Sequence, residues 1–99
     1  MEIRELTQKM HELVAAKGWY CQDSPKQQTI RSLAISLAIE AAEVLEHVQW
    51  EESPGNKTEL ADELADVGLF LLQLAHIAEI DLEEALLNKL AHNHQRSWE

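Results

Sequence analysis

The chain has 99 residues, so we expect residues 1–99 to form one small domain with a limited core. An apolar fraction of 45% is typical of a globular protein, whereas a net charge of −10 argues against binding nucleic acid through a basic surface. The single cysteine excludes an internal disulfide framework and favours the cytoplasm, and no stretch approaches the roughly 20 apolar residues of a membrane-spanning helix.

Helical periodicity and turn signals predict four helices. The first ends at Gly18, and a polar segment from residue 19 to 27 follows it. The second is predicted from about residue 28 to residue 51, ahead of a turn at residues 53–56 that contains proline and glycine. Two N-cap signals predict the later helices: Asn56 with Glu59 for the third, and Asp81 with Glu84 for the fourth. The third helix is expected to reach about Glu79.

These elements predict an all-α fold, a compact antiparallel four-helix bundle, because the connections are short and no strand-like alternation occurs. The small size of the core favours association into a larger helical oligomer. Ile35 and Ile39 lie away from the main apolar stripe of the second helix. This second apolar face indicates a subunit interface, unless the helix is a central one that is covered on both sides.

Acidic residues three apart are frequent in this chain, so most such pairs are typical of a solvated helix face. Position around the helix distinguishes them. Glu40 falls inside the apolar stripe of the second helix, and Glu43 flanks it. Glu63 and Asp66 border the apolar stripe of the third helix. The stripes consist of Leu33, Leu37, Val44 and Val48, and of Leu60, Leu64, Val67, Leu71 and Leu74. A carboxylate in a core costs several kcal/mol unless it is paired or binds a metal.

Across an antiparallel contact the two acidic pairs would face each other, and four converging carboxylates require a cation. Oxygen ligands suit Mg²⁺, with Mn²⁺ as an alternative, rather than zinc or copper. A di-iron bundle requires Glu-x-x-His motifs, and no glutamate in this chain is followed three residues later by histidine. Isolated histidines such as His11, His47 and His76 are interpreted as ordinary packed or exposed side chains.

These motifs resemble the MazG-like family of all-α nucleoside triphosphate pyrophosphohydrolases. The family pattern Glu-x-x-Glu followed by Glu-x-x-Asp reads here as Glu40-Ala-Ala-Glu43 and Glu63-Leu-Ala-Asp66. The resemblance continues through residues 28–33, which are similar to a QT-x-x-SL segment, and through residues 80–82. It ends in the spaced residues Lys89, Asn93 and Arg96 of the fourth helix.

The resemblance implies Mg²⁺-dependent hydrolysis of a nucleoside triphosphate, most plausibly a deoxynucleoside triphosphate, to the monophosphate and pyrophosphate. It implies a role in nucleotide-pool clean-up and assembly as a homodimer or homotetramer. The implied metal ligands are Glu40, Glu43, Glu63 and Asp66, and either Glu40 or Glu43 would act as the base. The implied substrate-binding residues are Lys89, Asn93 and Arg96 for phosphate, and Trp19 and Trp50, which either stack on the base or plug the bundle.

Two alternatives stay open from the sequence. One is a related all-α pyrophosphatase with another substrate, such as dUTP or phosphoribosyl-ATP. The other is a non-catalytic helical module that binds a nucleotide or a partner protein. The carboxylate of Glu40 in a core stripe argues against the module.

Overall fold

The computed structural model describes residues 2–18 and 28–95, and within these ranges it contains four α-helices and no strand. The helices are α1 (Ile3–Ala16), α2 (Ile30–Glu46), α3 (Lys57–Ile77) and α4 (Leu82–Gln95). The predicted all-α fold is therefore confirmed. The predicted first connection lies outside the described residues.

The starts of α3 and α4 agree with the sequence signals. The Oδ1 atom of Asn56 accepts a hydrogen bond from the backbone N–H of Glu59 at 3.1 Å. In the same way, Oδ1 of Asp81 accepts from the N–H of Glu84 at 3.1 Å. Each cap satisfies one of the N–H groups that a helix start leaves without an intrahelical partner.

The start of α2 has a reciprocal cap that the sequence analysis did not predict. Thr29 Oγ1 accepts from the N–H of Ser32, and Ser32 Oγ accepts from the N–H of Thr29, both at 3.0 Å. Serine thus takes the place of the Glu or Gln that usually completes a capping box. The helix ends at Glu46 rather than at residue 51. Its last turn carries no basic residue. A helix that continued to residue 51 would place Glu51 and Glu52 at the negative end of its dipole, which is unfavourable.

Two helices end on a residue in the left-handed region. Gly18 closes α1 as predicted, with φ +72°. Glu79 follows α3 with φ +59°, so it stands outside the helix that was expected to include it. The N–H of Ile80 donates to the carbonyl of Ala75 at 2.9 Å, and the N–H of Glu79 donates to the carbonyl of His76 at 3.1 Å. This pair of bonds forms a Schellman motif in which glutamate takes the usual place of glycine.

Helix α3 is the centre of the bundle and runs antiparallel to α2. Near the start of α2, Gln28 Oε1 accepts a hydrogen bond from Gln73 Nε2, late in α3. At the other end of α2, His47 lies beside Glu63, early in α3. The side chain of Gln73 is buried, so its bond to Gln28 compensates for the lost contact with water.

The face of α3 that packs inward differs from the predicted apolar stripe. Leu64 and Leu71 of that stripe are exposed by 53% and 37%. Helix α1 instead packs over the side of α3 that carries Phe70 and Gln73. The inward face is therefore rotated toward the positions that neighbour Glu63 and Asp66, so these carboxylates lie closer to the helix contacts than the sequence indicated.

The described chain forms a more open bundle than expected. Its radius of gyration is 15.8 Å, whereas a compact domain of this length has about 12–13 Å. Helix α4 contributes no buried residue and packs mainly on α1, whose Arg4 forms a 2.8 Å ion pair with Asp81. No helix among the described residues combines the length and apolar character needed to cross a membrane.

Candidate metal centre

Helices α2 and α3 bring three of the four predicted carboxylates together. One oxygen from each of Glu40, Glu43 and Glu63 lies within 4.8 Å of the other two. Glu40 and Glu43 share a face because they are three residues apart on α2, and the antiparallel contact brings Glu63 opposite them. We call these three residues the carboxylate cluster.

The carboxylate cluster is half-buried, and part of it has no hydrogen-bond partner. The Oε2 atoms of Glu40 and Glu63 are buried and make no hydrogen bond within the described part of the chain. A buried oxygen of this kind destabilises the fold unless a donor or a cation satisfies it. Hard divalent cations with oxygen ligands meet this requirement, so the donor set fits Mg²⁺ or Mn²⁺.

The electrostatics of the cluster are also consistent with a site for a divalent cation. Burial raises the pKa of Glu40 from its ordinary value of 4.5 to about 7, with the hydrogen bond to Glu43 and the charges of neighbouring carboxylates adding to the effect. The pKa of Glu63 is also raised, chiefly by its hydrogen bond to Glu43 and then by burial. Two carboxyl groups share a hydrogen bond only when one keeps a proton, so these contacts favour the protonated forms of Glu40 and Glu63.

Asp66, the fourth predicted ligand, is not a member of the carboxylate cluster. It is half-buried and lies beside Met10 and Phe70, in an apolar recess of about 220 Å³ between α1 and α3. Its negative charge nevertheless raises the pKa of both Glu40 and Glu63. It is thus within electrostatic reach of the cluster while pointing toward a different helix contact.

The predicted substrate-binding residues are spread over the chain. Trp50 is 88% exposed and follows α2, seven residues after Glu43. Lys89 is exposed and Asn93 is half-buried, and both are on α4, the helix that packs mainly on α1. Trp19 and Arg96 lie outside the described residues.

His47 is a neighbour of the cluster that the sequence analysis interpreted as an ordinary histidine. Its Nε2 atom lies 4.0 Å from Oε1 of Glu63, and its side chain is 17% exposed. The signal that could have found it is spacing, because residues 40, 43 and 47 recur at intervals of three and four along one helix face.

The fold and the carboxylate cluster define an all-α protein with three clustered carboxylates on two antiparallel helices. A model of the MazG-like family matches residues 35–98, and the chain belongs to this family. The match includes all four predicted carboxylates.

Individual relatives are similar to nearly the whole chain. Mouse and human dCTP pyrophosphatase 1 are 30% and 31% identical to it over 94 residues, covering 86% of the chain. The chain spans about half the length of these curated relatives, 52% in both cases. A crystal structure of a pyrophosphatase from Archaeoglobus fulgidus DSM 4304 superposes with a TM-score of 0.79 at 35% identity, covering 94% of this chain and 89% of that one.

Proposed function

We propose that this protein is a Mg²⁺-dependent nucleoside triphosphate pyrophosphohydrolase that converts a (d)NTP and water to the (d)NMP and pyrophosphate. The observation that carries the proposal is the carboxylate cluster, with its buried oxygens that lack hydrogen-bond partners. Its location on the helices that bear the family motif, and relatives named as pyrophosphatases, support the same reaction.

Glu40, Glu43 and Glu63 would hold the metal, with Asp66 supporting them from the neighbouring turn of α3. Mg²⁺, when bound, supplies positive charge to phosphate oxygens and acidifies a water. Mn²⁺ has similar ligand preferences and is the expected substitute.

The chain's own carboxylates would also handle the proton of the reaction. Water attacks the α-phosphorus, the anhydride bond between the α- and β-phosphates breaks, and pyrophosphate leaves. Glu40 or Glu43 would accept the proton of the attacking water.

Lys89, Asn93 and Arg96 are proposed to bind the phosphates, because a primary amine, an amide and a guanidinium all donate hydrogen bonds to phosphate oxygens. Trp19 and Trp50 are proposed to stack on the base. The 88% exposure of Trp50 supports this role, since an exposed indole is accessible to a ligand.

Deoxynucleoside triphosphates are the proposed substrates, and nucleotide-pool clean-up in the cytoplasm is the proposed role. The relatives named dCTP pyrophosphatase 1 make dCTP the first substrate to test. A related all-α pyrophosphatase activity on dUTP or phosphoribosyl-ATP is the alternative, and testing both compounds beside dCTP separates the two.

The decisive assay scores pyrophosphate against single phosphate across a panel of NTPs and dNTPs, with and without Mg²⁺. Glu43→Ala and Asp66→Asn are expected to reduce pyrophosphate release at least about 100-fold while the helical circular dichroism stays unchanged. The matched control is Glu46→Gln, which removes an exposed carboxylate from the same helix and should keep full turnover.

Normal turnover in both Glu43→Ala and Asp66→Asn would refute the proposed site. Absence of hydrolysis and of any Mg²⁺-linked thermal stabilisation in the wild-type chain would instead favour a non-catalytic helical module.

A further inference from the structure

His47 stands at the end of α2 on the side of the carboxylate cluster. It is the C-cap of the helix, with φ −71° and ψ −21°, so the helical path continues through it from Glu43. Its position four residues after Glu43 aligns the two side chains along one face. Only 17% of the His47 side chain is exposed, although Gln49 and Trp50 shortly after it are exposed.

The contact with Glu63 makes His47 unusual among the basic residues of the described ranges. Its Nε2 atom is 4.0 Å from Oε1 of Glu63, and its positive charge would lower the pKa of that carboxyl. Two further ion pairs join Arg4 to Asp81 and Glu83, at the opposite end of α3. His47 is a basic side chain that the described structure places against the cluster.

We propose that His47 is a positioning residue that donates a hydrogen bond from Nε2–H to Oε1 of Glu63 and so fixes the orientation of that carboxylate toward a bound divalent cation. The inference rests on the proposed function, because it assumes that the cluster binds a metal. A shift of about 1 Å closes the 4.0 Å separation to a normal hydrogen bond.

The geometry favours an orienting role over direct coordination. The group of atoms within 4.8 Å of one another comprises the three glutamates and does not include His47. The two oxygens of Glu63 have different surroundings, since Oε2 is buried without a partner while Oε1 faces His47. A carboxylate with one oxygen held by a donor presents its other oxygen to a cation in a defined direction, as partners of metal ligands commonly do.

The test compares three variants of the full chain by calorimetric titration with Mg²⁺ and with Mn²⁺. His47→Leu removes the donor, and His47→Gln keeps an N–H donor at a similar reach. His92→Leu on α4 removes an exposed histidine elsewhere and serves as the control. We expect His47→Leu to weaken metal affinity about 10- to 100-fold, with His47→Gln and the control within about threefold of wild type.

A second readout separates orientation from coordination. In the Mn²⁺-loaded wild-type chain, electron spin-echo envelope modulation should lack the strong ¹⁴N coupling of a directly bound imidazole. Such a coupling, or equal affinity in His47→Leu and wild type, would overturn the inference while leaving the metal site and the proposed function intact. A wild-type chain that binds neither metal would overturn both.

Discussion

At the scale of a single residue, the position of Glu40 in the sequence predicts its unusual chemical environment. The sequence predicts a carboxylate in an apolar stripe, and the structure gives that carboxylate a buried oxygen without a partner and a pKa of about 7. Leu33, two turns earlier on the same face, is almost fully buried, and Glu40 itself is half-buried. A residue in this setting costs stability whenever it is charged and no cation is near.

The stability of the metal-free protein is expected to fall as the pH rises from about 4.5 to about 7. Within this window unfolded Glu40 has lost its proton while folded Glu40 retains it, so the native state binds more protons and loses relative stability with increasing pH. Mg²⁺ should reverse the trend by favouring the charged form. Thermal denaturation at pH 5 and pH 8, with and without Mg²⁺, measures both effects.

Glu40→Gln is the control for this pH dependence. Its neutral amide keeps the size of the side chain, so the variant should lose much of the fall between pH 4.5 and pH 7 and should respond weakly to Mg²⁺. Asp81 does not contribute to this pH dependence, because its pKa is lowered by its helix-capping bond and by Arg4. Protonation of Asp81 therefore destabilises the fold only at a more acidic pH. An unchanged pH profile in Glu40→Gln would contradict the assignment.

At the scale of the helices, local signals predicted the starts and missed some of the ends. Asn56 and Asp81 cap the helices they were expected to cap, because this bond depends on residues three apart. The end of α2 depends on weaker effects, chiefly the acidic residues at its C-terminal side. The inward face of α3 could not be predicted from its own sequence, because it depends on how both α1 and α2 pack against it. The exposure of Leu64 shows that this face differs from the apolar stripe.

The same difference between local and tertiary signals explains which residues of the candidate site the sequence could predict. Position around the helix singled out Glu40 inside the apolar stripe and Glu43 on its flank, and the family pattern gave the main support for Glu63 and Asp66. The contact of His47 with Glu63 joins residues 16 positions apart on different helices, so it requires the tertiary register of α2 against α3. Spacing along α2 places His47 on the face of Glu40 and Glu43, but no local pattern determines which residue of α3 lies opposite it.

Glu79→Gly is expected to stabilise the protein by about 1 kcal/mol, because a non-glycine residue in the left-handed region is strained and glycine is not. Glu79 has φ +59° in the Schellman motif after α3, and its side chain is exposed. Urea denaturation of both chains at pH 7.5 measures the free energy of unfolding.

A glycine in a regular helix provides the opposite control. Glu12 is exposed within α1, and Glu12→Gly should destabilise the chain by about 1 kcal/mol. Opposite signs for the two substitutions would establish that the backbone conformation, rather than the lost charge, determines the effect. Equal destabilisation would contradict the strained turn.

Thr29→Ala should destabilise the protein by about 1 kcal/mol, because it breaks the reciprocal cap with Ser32 at the start of α2. The metal affinity should change little, since the cap is about three turns away from Glu40. Thermal denaturation and Mg²⁺ titration of the same sample separate the two properties. A large loss of metal affinity would instead indicate that the cap controls the register of α2 along α3.

At the scale of the whole molecule, the single chain leaves much of its apolar surface uncovered. Fully buried apolar side chains are few among the described residues, and large apolar residues on all four helices remain exposed. Those on α2, α3 and α4 include Ile35, Ile39, Leu45, Leu64, Leu69, Leu87 and Leu90. A small chain that exposes this much apolar surface gains stability by association, which supports the proposed homodimer or homotetramer.

The face of α2 opposite its apolar stripe is the expected subunit contact. Ile35 and Ile39 are exposed by 53% and 54%. They are four positions apart on the helix, so they form one continuous patch. Ile35→Lys should reduce the mass in sedimentation equilibrium from two or four times 11.3 kDa toward that of the single chain. A buried lysine without a partner costs far more than the lost isoleucine contacts, so the loss of association should be nearly complete at micromolar concentration.

Leu90→Lys is the matched control, because Leu90 is 66% exposed on α4 and the substitution introduces the same charge. Retained association in Leu90→Lys together with dissociation in Ile35→Lys would assign the contact to α2. The reverse result would move the interface to α4. In that case Lys89 and Asn93 of α4 would lie at the subunit contact, where a neighbouring chain's carboxylate cluster could meet them.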